Sequence, residues 1–270
     1  MEQNSRLKYT AQYLMVINIV IFLITLIYDF SLSVDTLVLF GAKVNYKIVD
    51  GQFYRLFSAM FLHWDFYHLL ANMFALYIFG RDIETIFGKG KFLTIYFFSG
   101  LTGSLFSFIF NNSISAGASG AIFGLLGAHL YLFMRNKNAY KRIFGMDFLV
   151  LIAINVGYGF MDPRIDFSGH MGGLVGGIII CYILGIRQER HIDFKKVLAI
   201  ILTIAAISGS FVFRSTYYRI SENYYIHKSI DLFYSQNVSD SLSLIEEGLL
   251  KHPSSPSLNQ LDSEIRSAIR

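Results

Sequence analysis

The sequence predicts an all-α, polytopic membrane helical bundle, and three observations carry that prediction. Of the 270 residues, 54% are hydrophobic and only 16% charged, against about 25% charged in an ordinary soluble domain. The apolar residues gather in seven runs, roughly 12–28, 66–86, 92–110, 116–134, 146–161, 167–186 and 197–213, each near the roughly 17–25 residues that cross a bilayer as a helix. Only three prolines occur, which suits long uninterrupted helices.

The first run follows a short polar segment, 1–10, and leads into Asp29-Phe30-Ser31 with no small-residue cleavage site. It therefore reads as a span rather than a signal peptide. The second run carries Arg81 and Asp82 near its end, and the fifth is short. Loop charges set the orientation. Arg6 and Lys8 precede the first run; Arg81, Lys89 and Lys91 follow the second; Arg135, Lys137, Lys141 and Arg142 follow the fourth; Arg187, Arg190, Lys195 and Lys196 follow the sixth. The alternate loops are poor in base, with none after the third run, only Arg164 after the fifth, and Lys43, Lys47 and Arg55 in the long first loop. The basic loops are thus expected in the cytoplasm, with the N-terminus inside and, after seven spans, the C-terminus outside.

This distribution assigns the net charge of +4 to a lipid bilayer partner and not to nucleic acid. The single cysteine, Cys181, lies inside an apolar run, which excludes a disulfide framework and a cysteine-based metal site. Richness in isoleucine, lysine and asparagine hints at an AT-rich genome and a bacterial plasma membrane. From about residue 214 the chain turns polar, with helical patterning over Ser239–His252 that Pro253 and Pro256 interrupt before another short helix. The expected organisation is a cytoplasmic N-terminus (1–10), a six-helix core (11–186), a linker and seventh span (187–213) and an extracytoplasmic helical tail (214–270). The tail looks like one degenerate tetratricopeptide-like unit, and a single unit cannot bury its own face.

Polar side chains inside membrane helices are costly and mark function or packing. Three runs open with them: His68-Leu69-Leu70-Ala71-Asn72 on the second, Gly117-Ala118-Ser119-Gly120 on the fourth and Gly169-His170-Met171-Gly172-Gly173 on the sixth. These runs all point from outside to inside, so at about 1.5 Å rise per residue His68, Ser119 and His170 fall at similar depth. Asn72 lies one turn below His68 on the same face. Gly120 with Gly124, Gly172 with Gly176 and Gly173 with Gly177 are small-residue pairs that let helix backbones approach closely.

A serine hydroxyl needs a base within hydrogen-bond reach to become a nucleophile. His170 can take that proton and return it to a leaving amine. The oxyanion formed needs fixed donors, which the Ser119 backbone N–H at a helix start, His68 and the Asn72 amide can supply. No carboxylate is placed to orient His170, since Asp166 is expected in the loop above it, so a dyad is favoured over a triad. Taken singly, Ser119 could be a packing residue, each histidine a satisfied buried group and Asn72 an interhelical hydrogen-bonding residue. Packing alone does not explain all four at one depth.

These residues resemble the rhomboid family of intramembrane serine proteases. Its signatures are H-x-x-x-N, here His68 and Asn72, G-x-S-G, here Gly117 to Gly120, and a histidine before a glycine-rich run, here His170 to Gly177. Tyr54-Arg55 stands where the family usually has Trp-Arg. His63 precedes His68 by five residues, and Gly80-x-x-x-Glu84-x-x-x-Gly88 matches the family's second helix. The resemblance covers roughly residues 50–186, a rhomboid-like six-helix core to which a seventh C-terminal transmembrane helix is added. It implies a serine endopeptidase without cofactor or metal, acting on single-span transmembrane protein substrates cut in or next to the membrane, near a small residue. Ser119 and His170 would be the dyad, and His68, Asn72 and the Ser119 amide the oxyanion hole. Gly117 and Gly120 would support the site, Phe123 would stack on His170, and Glu84 would make a structural polar contact.

Three other readings compete. A catalytically silent relative would bind or escort membrane proteins, although nucleophile and base are both present here. A transporter would need broken helices in matching halves or an intramembrane carboxylate relay, and neither is evident. A metal site built from His68 and His170 would have to draw on Ser119 and Asn72, which are poor ligands.

Overall fold

The computed structural model describes residues 8–145, 165–186 and 193–269, with residues 150, 153, 154 and 157. Apart from those last four residues, the fifth run (146–161) lies outside the described residues, as do Arg6, Arg164, Arg187 and Arg190. The helices are α1 (Thr10–Tyr28), α2 (Val34–Leu39), α3 (Asn45–Val49), α4 (Arg55–Ser58), α5 (Phe66–Phe87), α6 (Lys89–Phe110), α7 (Ser119–Arg135), α8 (Lys137–Phe144), α9 (Phe167–Leu184), α10 (Phe194–Arg219), α11 (Glu222–Tyr234), α12 (Val238–Lys251) and α13 (Pro256–Ala268). A 3-10 turn at Ala59–Phe61 and one antiparallel bridge, Lys43 with Ser115, complete the regular structure described.

Four of the described helices, α1, α6, α9 and α10, are long and apolar enough to cross a membrane. The second and fourth runs form α5 and α7, which fall short of that measure for physical reasons. α5 contains His68, Asn72, Arg81 and Asp82, and α7 has 17 residues. The all-helical, multi-pass character thus stands, while seven spans remain an expectation from the sequence.

The chain divides into two compact units, Met1–Val44 with Tyr54–Ser208, and Asn45–Phe53 with Gly209–Arg270. In the first unit α6, α7 and α9 make the most extensive mutual contacts. Glycine allows this approach: a Cβ on Gly173 would overlap the Gly120 carbonyl, and one on Gly177 the Gly124 carbonyl. In lipid, where apolar surface gains little by being buried, such close packing is a main source of helix association. Around it Leu76, Ile83, Phe92, Ile95 and Leu125 form a buried apolar core. Glu84 of α5 closes the start of α1, accepting hydrogen bonds from the Thr10 N–H (2.9 Å), the Thr10 hydroxyl (2.8 Å) and the Ala11 N–H (3.1 Å). This satisfies amides that a helix start leaves without carbonyl partners, and it is the polar contact that the resemblance implied for Glu84.

The second unit is built differently. α11, α12 and α13 pack on one another, and α3 packs on α11. Buried Tyr225, Ile245, Leu258 and Ile265 make its core. The Ser255 hydroxyl caps α13, accepting from the Leu258 N–H at 3.0 Å, with Pro256 at the first helical position, where its missing N–H costs nothing. The first-loop segment is tied to the tail by Lys47 with Asp231 (2.8 Å), Lys228 with Asp50 (2.7 Å), the Tyr224 hydroxyl donating to Asp50 (2.9 Å) and Arg219 donating to the Val49 carbonyl (2.6 Å).

Candidate active site

The sequence delivers Ser119 to a helix start through a short segment held by backbone hydrogen bonds. Lys43 and Ser115 exchange backbone hydrogen bonds at 2.9 and 3.1 Å, and the Gly117 N–H donates to the Ala59 carbonyl at 2.9 Å. Gly117 then turns the chain at φ +147°, and a Cβ there would meet the His68 ring at 2.8 Å. Glycine is therefore required twice, for the backbone angle and for the close approach of the imidazole. Ser119 follows as the first residue of α7, so its N–H has no carbonyl one turn back in the helix.

His170 comes from α9. The Asp166 carboxylate caps that helix, accepting from the Gly169 N–H at 3.0 Å, and its carbonyl accepts from the His170 N–H at 3.0 Å. The Nε2 of His170 lies 2.9 Å from Ser119 Oγ. Its Nδ1 is buried and has no hydrogen-bond partner among the described residues. Phe123, one turn along α7 from Ser119, stacks on the imidazole with ring centroids 4.1 Å apart and planes 12° from parallel. The glycine contact between α7 and α9 lets these two helices bring hydroxyl and imidazole together. Gly120, next to the serine, is the residue whose carbonyl faces Gly173.

His68 and Asn72 come from α5. Asp65 caps that helix, accepting from the His68 N–H at 2.8 Å. The Asn72 side chain is buried, and its Nδ2 donates to the His68 carbonyl at 2.8 Å, leaving a second N–H on the same nitrogen. His68 reaches the site by its ring, which lies against Gly117. Behind it, His63 packs edge-on at 5.2 Å. Burial, and then the neighbouring His68, push the His63 pKa down to about 3, so His63 is a neutral buttress.

Ser119, His170 and Phe123 therefore meet where α7 packs on α9, the His68 ring lies beside them against Gly117, Asn72 is one turn along α5 from His68, and Glu84 lies apart at the start of α1. Two others at the same place escaped that reading. Lys43 is buried, and its ammonium donates to the Asn111 carbonyl at 3.1 Å. The Asn111 Nδ2 donates to the Asp166 carboxylate at 3.2 Å. Asp166 lies just ahead of the helix, as expected, and there its side chain is the cap of α9. An Asp just ahead of a long apolar run is the sequence signal that could have found it. For Lys43 and Asn111, polar residues in ordinary loop sequence, there was no such signal.

Comparison with known proteins gives a consistent picture. The family model described as a rhomboid domain matches residues 50–187. Rhomboid protease GluP of Bacillus subtilis (strain 168) is 41% identical over 207 residues, which are 77% of this chain and 40% of that protein. RHOMBOID-like protein 5 of Arabidopsis thaliana is 38% identical over 162 residues, 58% of this chain and 52% of that one. RHOMBOID-like protein 6, mitochondrial, of the same plant is 42% identical over 161 residues, again 58% and 52%. The chain thus spans about half, or less, of the length of these relatives.

Proposed function

Since this chain belongs to the rhomboid family, we propose that it is an intramembrane serine endopeptidase that hydrolyses peptide bonds in or next to the transmembrane segments of single-span membrane proteins. The observation that carries this reading is the 2.9 Å contact between Ser119 Oγ and His170 Nε2. In the reaction Ser119 Oγ attacks the scissile carbonyl carbon while its proton passes to Nε2. The His68 ring, the Asn72 amide and the Ser119 N–H are the donors for the oxyanion. The tetrahedral intermediate collapses, the C–N bond breaks, and Nε2 gives its proton to the departing amine. Water, deprotonated by the same nitrogen, then releases the acyl group and restores the serine.

A dyad is supported by the lack of a partner on His170 Nδ1 among the described residues. With the proton on Nδ1, Nε2 is the free base that this sequence of steps requires. Phe123 holds the ring plane by stacking. A helical substrate bond is shielded by its own hydrogen bonds, so the substrate has to unwind locally before Ser119 can reach it. The loop charges support an N-terminus in the cytoplasm and a tail outside.

The test uses purified wild type, Ser119→Ala and His170→Ala in detergent with a model single-span substrate, with and without a chelator. The wild type cuts and resists the chelator. His170→Ala loses about 100- to 10,000-fold in rate, the usual worth of a general base, and Ser119→Ala is silent while still folded. Cleavage by Ser119→Ala at the wild-type rate sinks the reading.

A further inference from the structure

We propose that Asp166 is a positioning residue for the dyad, holding the helix of the base and the bridged segment that leads to the nucleophile in one buried polar clamp with Asn111 and Lys43. The inference rests on the reading of Ser119 and His170 given above. It starts from a cation that should be costly. Lys43 has 0% of its surface exposed. Its Nζ donates to the carbonyls of Asn111 (3.1 Å) and Ser107 (3.4 Å) at the end of α6. Carbonyl dipoles suit an ammonium, but a buried charge is also expected to meet an opposite one. The carboxylate whose charge acts on it is Asp166.

Asp166 is tied in two further directions. One carboxylate oxygen accepts from both Asn111 Nδ2 (3.2 Å) and the Gly169 N–H (3.0 Å). Gly169 has no room for a side chain on that side, because a Cβ would lie 2.9 Å from the other carboxylate oxygen. Asn111 faces both ways, offering its carbonyl to Lys43 and its amide to Asp166. The backbone of Lys43 pairs with Ser115, four residues before the nucleophile. A continuous path therefore runs from Ser115 through Lys43 and Asn111 to Asp166, and from Asp166 into the first turn of α9, where His170 sits. Asp166, Ser115, Ser119 and His170 also line one small polar cavity of about 20 Å³.

Asp166 acts through the backbone and not as the acid of a triad. His170 Nδ1, the atom such an acid would hold, has no partner among the described residues. What the clamp controls is the distance between Oγ and Nε2, and small errors in such a distance are expensive in rate.

The experiment measures kcat and KM for wild type, Asp166→Ala, Asp166→Asn and the double variant Lys43→Met with Asp166→Asn. Ser119→Ala is run beside them, and the folded fraction of each is checked by thermal melting. Asp166→Ala should lose about 10- to 100-fold in kcat, as a misplacement near 1 Å would give, with KM within about twofold of wild type. Asp166→Asn should recover part of that loss, because asparagine still caps the Gly169 N–H. The double variant should lose at least as much kcat as Asp166→Asn, because the link from Lys43 to Asn111 is then broken as well. Wild-type kcat in Asp166→Ala overturns the clamp. So does a loss matched by the unfolded fraction, a loss confined to KM, or a double variant faster than Asp166→Asn. If Ser119→Ala cuts as well as wild type, the dyad falls and the clamp with it. If Ser119→Ala is silent and the Asp166 variants are unaffected, the clamp alone falls.

Discussion

Where α7 meets α9 in the first unit, backbone faces backbone: the Gly120 and Gly124 carbonyls lie against Gly173 and Gly177. Where the segment Asn45–Phe53 meets α11 in the second unit, contact is made by the tips of long side chains, Lys47 with Asp231 and Lys228 and Tyr224 with Asp50. The difference follows from the solvent each kind of surface is suited to. Helices in lipid gain little from burying apolar surface and are held by close packing. Helices facing water can use charged groups, each worth little because water competes for both partners. The first kind of joint should fail abruptly when a methyl group is added. The second should loosen gradually when a charge is removed.

Gly173→Ala carries the largest expected effect. Its side chain would occupy the place of the Gly120 carbonyl, which belongs to the residue after Ser119. Overpacking of this kind costs about 1–3 kcal/mol or more, and it also separates Ser119 from His170. Cleavage should fall below detection, with a lower melting temperature in detergent. Gly90→Ala in α6 is the matched control. Nothing lies within 4 Å of a Cβ there, so the variant should be neutral or gain up to about 1 kcal/mol from a stiffer unfolded chain. Equal behaviour of the two variants would remove close packing as the explanation.

Asp50→Ala should produce a smaller, local effect. It deletes the acceptor of both Lys228 (2.7 Å) and the Tyr224 hydroxyl (2.9 Å). A loss of about 1–2 kcal/mol is expected for hydrogen bonds to a partly exposed charged group. Hydrogen exchange should accelerate together in 45–53 and 222–234, and high salt should narrow the gap to wild type. Faster exchange in only one of the two segments would mean that these contacts do not join them.

The same contrast decides how much could be read from the sequence. Ser119, His170, His68 and Asn72 were legible because a polar residue opening an apolar run is conspicuous, and the glycine pairs marked the faces that meet. The apolar runs foretold α1, α5, α6, α7, α9 and α10 to within a few residues, and the tail's periodicity foretold α12. Short helices such as α2, α4 and α8 were missed because six, four and eight residues carry too little periodicity to register. The clamp of Lys43 and Asn111 escaped for another reason: charged and amide residues in a loop are unremarkable until burial is known. The pairing of the first loop with the tail was invisible as well. Lys47 and Asp231 are 184 residues apart, and nothing in either stretch names its partner.

The smallest expected effect is a pH dependence within the second unit, carried by His227. Its Nδ1 lies 3.1 Å from the Tyr218 hydroxyl, and burial lowers its pKa from the ordinary 6.5. The folded unit thus favours the neutral ring, while the unfolded chain protonates near the ordinary value. Its share of stability is intact above about pH 6.5 and declines as the pH falls from there through the lowered folded value, because the unfolded state then binds more protons. Protection of α11 against hydrogen exchange, taken relative to the intrinsic exchange rate at each pH, should fall between pH 7 and pH 5 by more in wild type than in His227→Gln, which has no proton to gain. Other groups titrate over the same interval in both proteins, so the difference between the two curves, and not either curve alone, isolates His227. Parallel curves would mean that the imidazole titrates alike in the folded and unfolded chain. The joint around α11 would then respond only to the charges at its tips, and the salt dependence of Asp50→Ala would be the one lever on it.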